Sequence, residues 1–184
     1  MADTAVVKKM LPPNTTVWWV PISAAGTATD VLKSALYGEG GGAVDLSCGI
    51  VSGMTLAATD SETDSTTTIC DSAAANTPVR DNYEAKITFL REWIDPENGK
   101  ANANSPAEKA FQLFKNAGAS TQVVGWLVQR LGYRQTAAAK AGQVVSAFVQ
   151  ADNPQDVIGE GTTPIQFTVP FLPQGTMVQN KPLT

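Results

Sequence analysis

Apolar and polar residues alternate along most of this chain, which is the pattern typical of β-strands. The clearest case is residues 82–93, where one face of the predicted strand is apolar and the other mostly polar. The apolar face consists of Tyr83, Ala85, Ile87 and Phe89, and the other face of Glu84, Lys86, Thr88 and Leu90. We expect the apolar face to lie in a core. We expect the polar side chains of Glu84, Lys86 and Thr88 to face water or a wet channel.

Further strands are predicted at residues 15–22, 54–59, 65–70, 121–134, 142–152 and 165–172. Two of these strands are apolar on both faces. Trp18 and Trp19 are adjacent and must point to opposite faces of the first strand, and Trp126 lies on one apolar face of the 121–134 strand. Such strands need cover on both sides, from the domain core and from a second layer or another subunit. The three tryptophans are therefore interpreted as core or interface residues.

The last predicted strand alternates cleanly. Its inward positions are Ile165, Phe167, Val169 and Phe171. Pro170 indicates an edge strand, because proline cannot donate a hydrogen bond to a neighbouring strand.

One segment carries a clear helix signal. Ser105 is a suitable N-cap, Pro106 suits the first helical position, Glu108 completes a capping box, and Gly118 is a suitable C-terminal stop. Ala107, Ala110, Phe111 and Phe114 form a single apolar stripe. We therefore predict one helix at about residues 106–117, flanking an antiparallel β-sandwich or barrel. The domain is expected to span residues 14–175, with an N-terminal arm at 1–13 and a C-terminal extension at 176–184.

The stretch TDSETDSTTT, residues 59–68, is entirely polar. The predicted strands 54–59 and 65–70 flank it, so we interpret residues 54–70 as an inserted hairpin. Its polar tip would consist of Asp60, Ser61, Glu62, Thr63 and Asp64. The alternating acids also resemble a calcium loop, but the glycine at the sixth position and the glutamate at the twelfth are absent. A carboxylate hydrolase would need an apolar pocket beside these acids to raise the pKa of one carboxyl group, and the sequence shows no such pocket. If the chain were such a hydrolase, Glu62→Gln or Asp64→Asn would abolish its activity.

The composition removes several kinds of chemistry. The chain has no histidine, which excludes Ser-His-Asp and Cys-His nucleophile systems and histidine zinc sites. Its two cysteines are too few for a four-thiolate zinc site. A net charge of −4 does not suit a protein that grips nucleic acid, although it allows one that lets DNA slide past. We therefore expect no enzymatic activity, no metal and no cofactor.

The chain lacks the apolar core of a signal peptide and any apolar run of membrane-spanning length. A reducing cytoplasm is therefore the expected site of folding. Cys48 and Cys70 are expected to be buried thiols, with a disulfide between them as the alternative.

The order of several segments resembles a known family. The segments are DSETDSTTTICD, NYEAKITFLREW, SPAEKAFQLFKNAG, TQVVGWLVQRLGYR, AAAKAGQVVSAFVQADNPQ and TPIQFTVPFLPQG. Over about residues 45–175 this series is similar to the major tail protein, the tail tube subunit, of long-tailed bacteriophages that infect actinobacteria.

The resemblance implies a β-sandwich related to the tube proteins of contractile tails and type VI secretion. It implies hexameric rings that stack into a tube, with strands of neighbouring subunits joined around a channel. The tape measure protein would fill the channel first, and DNA would pass through later. Tail tip and terminator proteins would be further partners, and the protein would belong to the virion after assembly in the bacterial host cytoplasm. The hairpin at residues 54–70 and the terminal segments would bridge subunits and rings.

A second function also fits the pattern of strands. A monomeric carbohydrate- or receptor-binding β-sandwich could use Trp18, Trp19 or Trp126 as a platform for its ligand. A ring-forming protein and a monomeric binding module are distinguished by their oligomeric state.

Overall fold

The computed structural model describes residues 15–27, 30–31, 42–51, 54–65, 77–95, 97–98, 100–132, 143–160 and 163–181. Within these ranges there are twelve strands: β1 (Thr15–Pro21), β2 (Gly26–Thr27), β3 (Asp30–Val31), β4 (Val44–Asp45), β5 (Thr55–Asp64), β6 (Thr77–Leu90), β7 (Trp93–Asp95), β8 (Lys100–Ala101), β9 (Val123–Leu131), β10 (Gln143–Ala151), β11 (Gln155–Val157) and β12 (Gln166–Lys181). The helices are α1 (Ile22–Ala25), α2 (Pro106–Phe114) and a 3-10 turn at Ser47–Gly49.

Eight strands form one antiparallel sheet in the order β4-β1-β9-β10-β12-β6-β5, with β11 paired to β12 beside β10. The short pairs β2–β3 and β7–β8 lie outside this sheet. Among the described residues, α2 is the one helix longer than a single turn. The predicted class, a mainly β antiparallel fold with one flanking helix, is confirmed.

The main core lies between one face of the sheet and α2. Phe114 of α2 is fully buried, and its ring meets Trp19 edge to face with centroids 5.2 Å apart. The same ring contacts Phe171 and Phe89, so one helical residue joins strands β1, β12 and β6. The sheet face predicted for Tyr83, Ala85, Ile87 and Phe89 is buried in this core. Close approach of the 3-10 turn to α2 requires Gly49, because a Cβ atom there would lie 2.6 Å from the Ala107 nitrogen.

A second apolar cluster lies on the opposite face of β1, β9 and β10. It consists of Trp18, Val20, Trp126, Val128 and Val144. Trp18 and Trp19 thus belong to different clusters, as their adjacent positions in a strand require. Both indoles are buried within the single chain, at 5% and 1% exposure.

The helix begins at Pro106 as predicted, but the role of the Glu108 side chain and the position of the C-terminal end differ from the prediction. Ser105 Oγ accepts the Glu108 amide at 3.0 Å, so the N-cap is present. The Glu108 carboxylate does not close the expected capping box. It accepts a hydrogen bond from Gln112 Nε2 and lies 3.7 Å from Arg91 Nε, because burial of the carboxylate demands a cationic partner. α2 ends at Phe114, and Gly118 sits in the following loop, where its amide donates to the Thr121 carbonyl.

β12 corrects two predictions for the last strand. It is not an edge strand, since β6 pairs on one side and β10 and β11 pair on the other. On the side of β12 away from β6, β11 pairs with residues 166–168 and β10 pairs from Phe171 onward. Pro170 lies between these two pairings. The missing proline amide therefore falls at a break between two neighbours. Ile165 was predicted to point inward, but it precedes the strand and is 50% exposed.

Other expectations about the chain ends and cysteines meet the structure only in part. Residues 176–181 of the expected C-terminal extension form the last part of β12. Cys48 was predicted to be buried, but it is an exposed free thiol in the 3-10 turn. Cys70 and the arm at residues 1–13 lie outside the described residues.

Within the part of the chain that is described, no helix is long and apolar enough to cross a membrane.

Candidate functional site

The polar stretch at residues 60–64 lies in a strand and not at a turn. β5 runs without interruption from Thr55 to Asp64, and its partner is β6, with Glu62 opposite Arg80 and Asp64 opposite Thr77. The predicted hairpin of residues 54–70, with its tip at Asp60–Asp64, is therefore wrong in its pairing. The reason is that β-propensity does not show which strand is the partner, and β6 begins five residues earlier than its clearest alternation.

The outer half of the β5–β6 hairpin projects from the sheet as a two-stranded ribbon, which we call the distal ribbon (residues 59–64 and 77–82). Nearly every described side chain in it is exposed, so neither face packs on the core. The ladder shifts register between Thr59 and Glu62 and again between Glu62 and Thr63. These paired irregularities give one extra residue first to β5 and then to β6, and they increase the twist of the ribbon. A two-stranded ribbon of this kind is marginally stable without a partner.

The distal ribbon is acidic. It carries four acids and one base, all exposed: Asp60, Glu62, Asp64, Asp81 and Arg80. Extended backbone separates alternate side chains, so the three acids of β5 do not wrap around a common point as they would in a calcium loop. Among the described residues, no group of three acids, cysteines or histidines is placed to hold a metal ion.

Beside the distal ribbon, β6 and β12 separate and leave a cleft of about 980 Å³. Their ladder runs from Leu90 opposite Gln166 to Ala85 opposite Phe171 and stops there. Beyond it, residues from Arg80 to Tyr83 form one wall, and residues from Pro173 to Gln179 form the other. Thr59 and Ser61 of β5 also line the cleft.

Tyr83 closes the inner end of this cleft. Its hydroxyl donates a hydrogen bond of 2.9 Å to the Phe148 carbonyl of β10. Burial raises the pKa of this phenol, and backbone hydrogen bonds from Gly175 and Gln174 of β12 oppose the rise. Tyr83 therefore connects β6, β10 and β12 at the point where the sheet opens.

The polar face of β6 is accessible in the single chain. Glu84 and Lys86 are exposed, whereas Thr88 is half-buried and shares a hydrogen bond of 2.9 Å with the Thr168 hydroxyl. The three tryptophans are placed differently. Trp18, Trp19 and Trp126 are at most 5% exposed, so none offers an open ring to a sugar.

An exposed apolar group lies at the opposite end of the sheet from the distal ribbon. Its members are Trp93, Ile94, Val157, Ile158 and Ile165, with exposures between 42% and 80%. The Arg91 amide donates to the Ile165 carbonyl and Val157 lies opposite Gln166, which brings the ends of β6, β11 and β12 together. We call this set the apolar end.

Sequence reasoning missed the cleft and the apolar end. Tyr83 was assigned to the core, which is correct, but its position at the inner end of the cleft depends on where β6 and β12 separate. Apolar and polar residues alternate in both strands before and after this point, so the alternation does not show where the strands separate. The one available signal was the run of polar residues 80–82 immediately before the apolar alternation.

No curated protein matches the chain. A family model described as phage tail tube protein matches residues 1–184, which is the whole chain. That match agrees with a mainly β fold in which the described residues include one helix longer than a single turn. The chain belongs to the phage tail tube protein family.

Proposed function

We propose that this structural virion protein assembles into hexameric rings, and that the rings stack into the tail tube through which DNA passes into the host. Membership of the tail tube family supports a structural role in the tail. The observation that carries the proposal further is the distal ribbon, which exposes both faces and has little intramolecular support. A ribbon of this kind gains its cover when it lies on a neighbouring subunit or ring.

The apolar end supports stacking. Five large apolar side chains exposed together are typical of an interaction surface. The apolar end and the distal ribbon lie at opposite ends of the sheet, so the two surfaces of one subunit face in different directions. Two different surfaces at opposite ends suit head-to-tail association, which builds rings and open stacks.

The expected partners follow from a tube. The tape measure protein would occupy the channel during assembly, and tail tip and terminator proteins would bind the two ends. The exposed polar residues Glu84 and Lys86, with Thr88, would border either the channel or the outer wall. A channel wall without excess positive charge would not retain the DNA phosphates, and the chain's net charge of −4 fits this requirement. Assembly would take place in the host cytoplasm, and the protein would have no catalytic role.

The test is electron microscopy of the purified chain, alone and with tail tip proteins, beside a variant with a shortened ribbon. Thr59 and Asn82 are opposite each other in the ladder, so residues 60–81 can be replaced by Asn-Gly, which favours a two-residue turn. The parent chain should give rings or tubes with six-fold symmetry. The shortened variant should fold, because it keeps the core, but should not form tubes. A parent chain that stays monomeric under every assembly condition would overturn the proposal.

A further inference from the structure

The walls of the cleft beside the distal ribbon are two strand edges. Residues 77–84 of β6 pair with β5 on one side, and no described strand pairs with their other side. Residues 172–181 of β12 pair with β10 on one side, and again no described strand pairs with the other. The order β10-β12-β6-β5 makes these two open sides face each other across the cleft.

Two facing strand edges of this kind can both be satisfied by hydrogen bonds to one added strand. Each edge presents backbone amides and carbonyls that point sideways in the plane of the sheet, which is the template that an added strand completes. An extended segment between them would make ladder hydrogen bonds on both of its sides. Val79 and Leu172 belong to the two edge segments and are 60% and 45% exposed, so a strand laid beside them would also cover apolar surface.

The size of the cleft fits one strand. A strand residue occupies about 160 Å³ at the usual rise of about 3.3 Å, strand spacing of about 4.8 Å and sheet spacing of about 10 Å. The cleft of about 980 Å³ therefore has room for roughly six residues of one extended segment. Its lining is largely polar and includes Arg80, Asp81, Asn82 and Gln174, which does not suit the apolar, enclosed pocket of a small-molecule ligand.

We propose that this cleft receives an extended strand from a second copy of the chain, which pairs with β6 on one side and β12 on the other. The proposal rests on the proposed function, because a tail tube brings many copies of the chain into contact. It adds a specific contact: the strand enters between two strands of one subunit and does not simply extend the outer edge of the sheet.

Gly175 offers a way to probe the cleft without disturbing the subunit. It lines the cleft, and among the described residues no atom beyond its two chain neighbours would lie within 4 Å of a Cβ atom at this position. A side chain introduced there therefore occupies space that is open in the single chain. If a second copy fills that space, the same side chain will block it.

The first experiment measures alkylation at Gly175→Cys in a chain that also carries Cys48→Ser and Cys70→Ser. A maleimide reagent is added to free subunits, to assembled tubes and to denatured protein, and the modified peptide is quantified by mass spectrometry. We expect rapid labelling in free subunits and labelling at least tenfold slower in tubes. Equal rates in subunits and tubes would overturn the proposal. Slow labelling already in the free subunit would also overturn it, because the chain would then fill its own cleft.

The second experiment compares Gly175→Leu with Gly175→Ala. Both variants should keep the parental Tm as free subunits, and Gly175→Leu alone should lose tube elongation. Normal tubes from Gly175→Leu would mean that the cleft stays empty in the assembly. These results separate the two proposals: tubes with an accessible cleft leave the tail tube function intact, whereas a parent chain that forms no tubes contradicts the function itself.

Discussion

The hydroxyl of Tyr83 on β6 donates a hydrogen bond of 2.9 Å to the Phe148 carbonyl on β10, although β12 lies between these two strands in the sheet. The β10–β12 ladder is irregular at this point. Ala147 is opposite Met177 and Val149 is opposite Pro173, so two extra residues of β12 leave the ladder beside Phe148. The Tyr83 hydroxyl thus supplies a donor to a carbonyl that has no regular partner in β12. A buried phenol replaces a missing backbone hydrogen bond.

Tyr83→Phe should therefore destabilise the subunit by about 1 kcal/mol, because a partly buried carbonyl loses its donor. The raised pKa of Tyr83 adds a pH dependence. A group with a raised folded-state pKa contributes stability that is fully present below its unfolded pKa of about 10 and is lost as the pH rises through the folded value. The difference in unfolding free energy between wild type and Tyr83→Phe should shrink above about pH 10. Urea unfolding of the free subunit at pH 8 and pH 11 measures it, and a constant difference would contradict the assignment.

The sequence predicted the fold class because the evidence for it is local. Alternation places Tyr83, Ala85, Ile87 and Phe89 on one face regardless of which strands are neighbours. Strand pairing is not local, and this explains the main error. Glu62 pairs with Arg80 of β6, whereas a shorter hairpin with its turn at Asp60–Asp64 was equally compatible with the residue types. The Ser- and Thr-rich composition of residues 59–68 suits an exposed strand as well as a turn.

Pro170 and Glu108 show, at single residues, that local sequence does not identify the partners of a residue in the fold. Proline marks a position without an amide donor, and a change of neighbours within a central strand satisfies that condition as well as an edge does. Glu108 was placed correctly at the third position of α2, yet its carboxylate turns to Arg91, which is distant in sequence. The cleft depends on two such long-range relationships, and the run of polar residues 80–82 was its one signal in the sequence.

Gly125 provides a test of packing between β1 and β9. A Cβ atom at this position would lie 2.6 Å from the Val20 carbonyl oxygen and 2.8 Å from the Trp19 ring. Gly125→Ala should therefore cost at least about 2 kcal/mol, because backbone and a fully buried indole must both move. Gly175→Ala is the matched control and should be nearly neutral, since a Cβ atom there meets no described residue within 4 Å apart from its two chain neighbours. Thermal unfolding of the two variants gives the comparison, and equal Tm values would contradict the close contact with Trp19.

The pair formed by Arg91 and Glu108 should behave as a coupled unit. Arg91 Nε lies 3.7 Å from Glu108 Oε2, and the guanidinium stacks 3.5 Å from the centre of the Phe111 ring. Arg91→Met should cost about 3 kcal/mol, because it leaves a carboxylate that is only 1% exposed without its cation. Adding Glu108→Gln should recover part of that loss, since the amide can still accept from Gln112 Nε2 and carries no charge. Chemical unfolding of both single variants and the double variant completes the cycle, and strictly additive losses would show that the two side chains do not interact.

The acidic charge of the distal ribbon should contribute to assembly. Residues 54–97, which include the ribbon, carry a net charge of −6, and residues 98–184 carry a net charge of +3. The ribbon is therefore attracted to a neighbouring subunit if it contacts residues 98–184 of that subunit. The triple variant Asp60→Asn, Glu62→Gln, Asp64→Asn should raise the protein concentration needed for tube formation several-fold and reduce its dependence on salt. Glu97→Gln, Asp156→Asn, Glu160→Gln is the control, because it removes the same number of exposed acids outside the ribbon. Light scattering across a salt series compares the two. If both triple variants change assembly equally, total charge matters and the position of the acids on the ribbon does not.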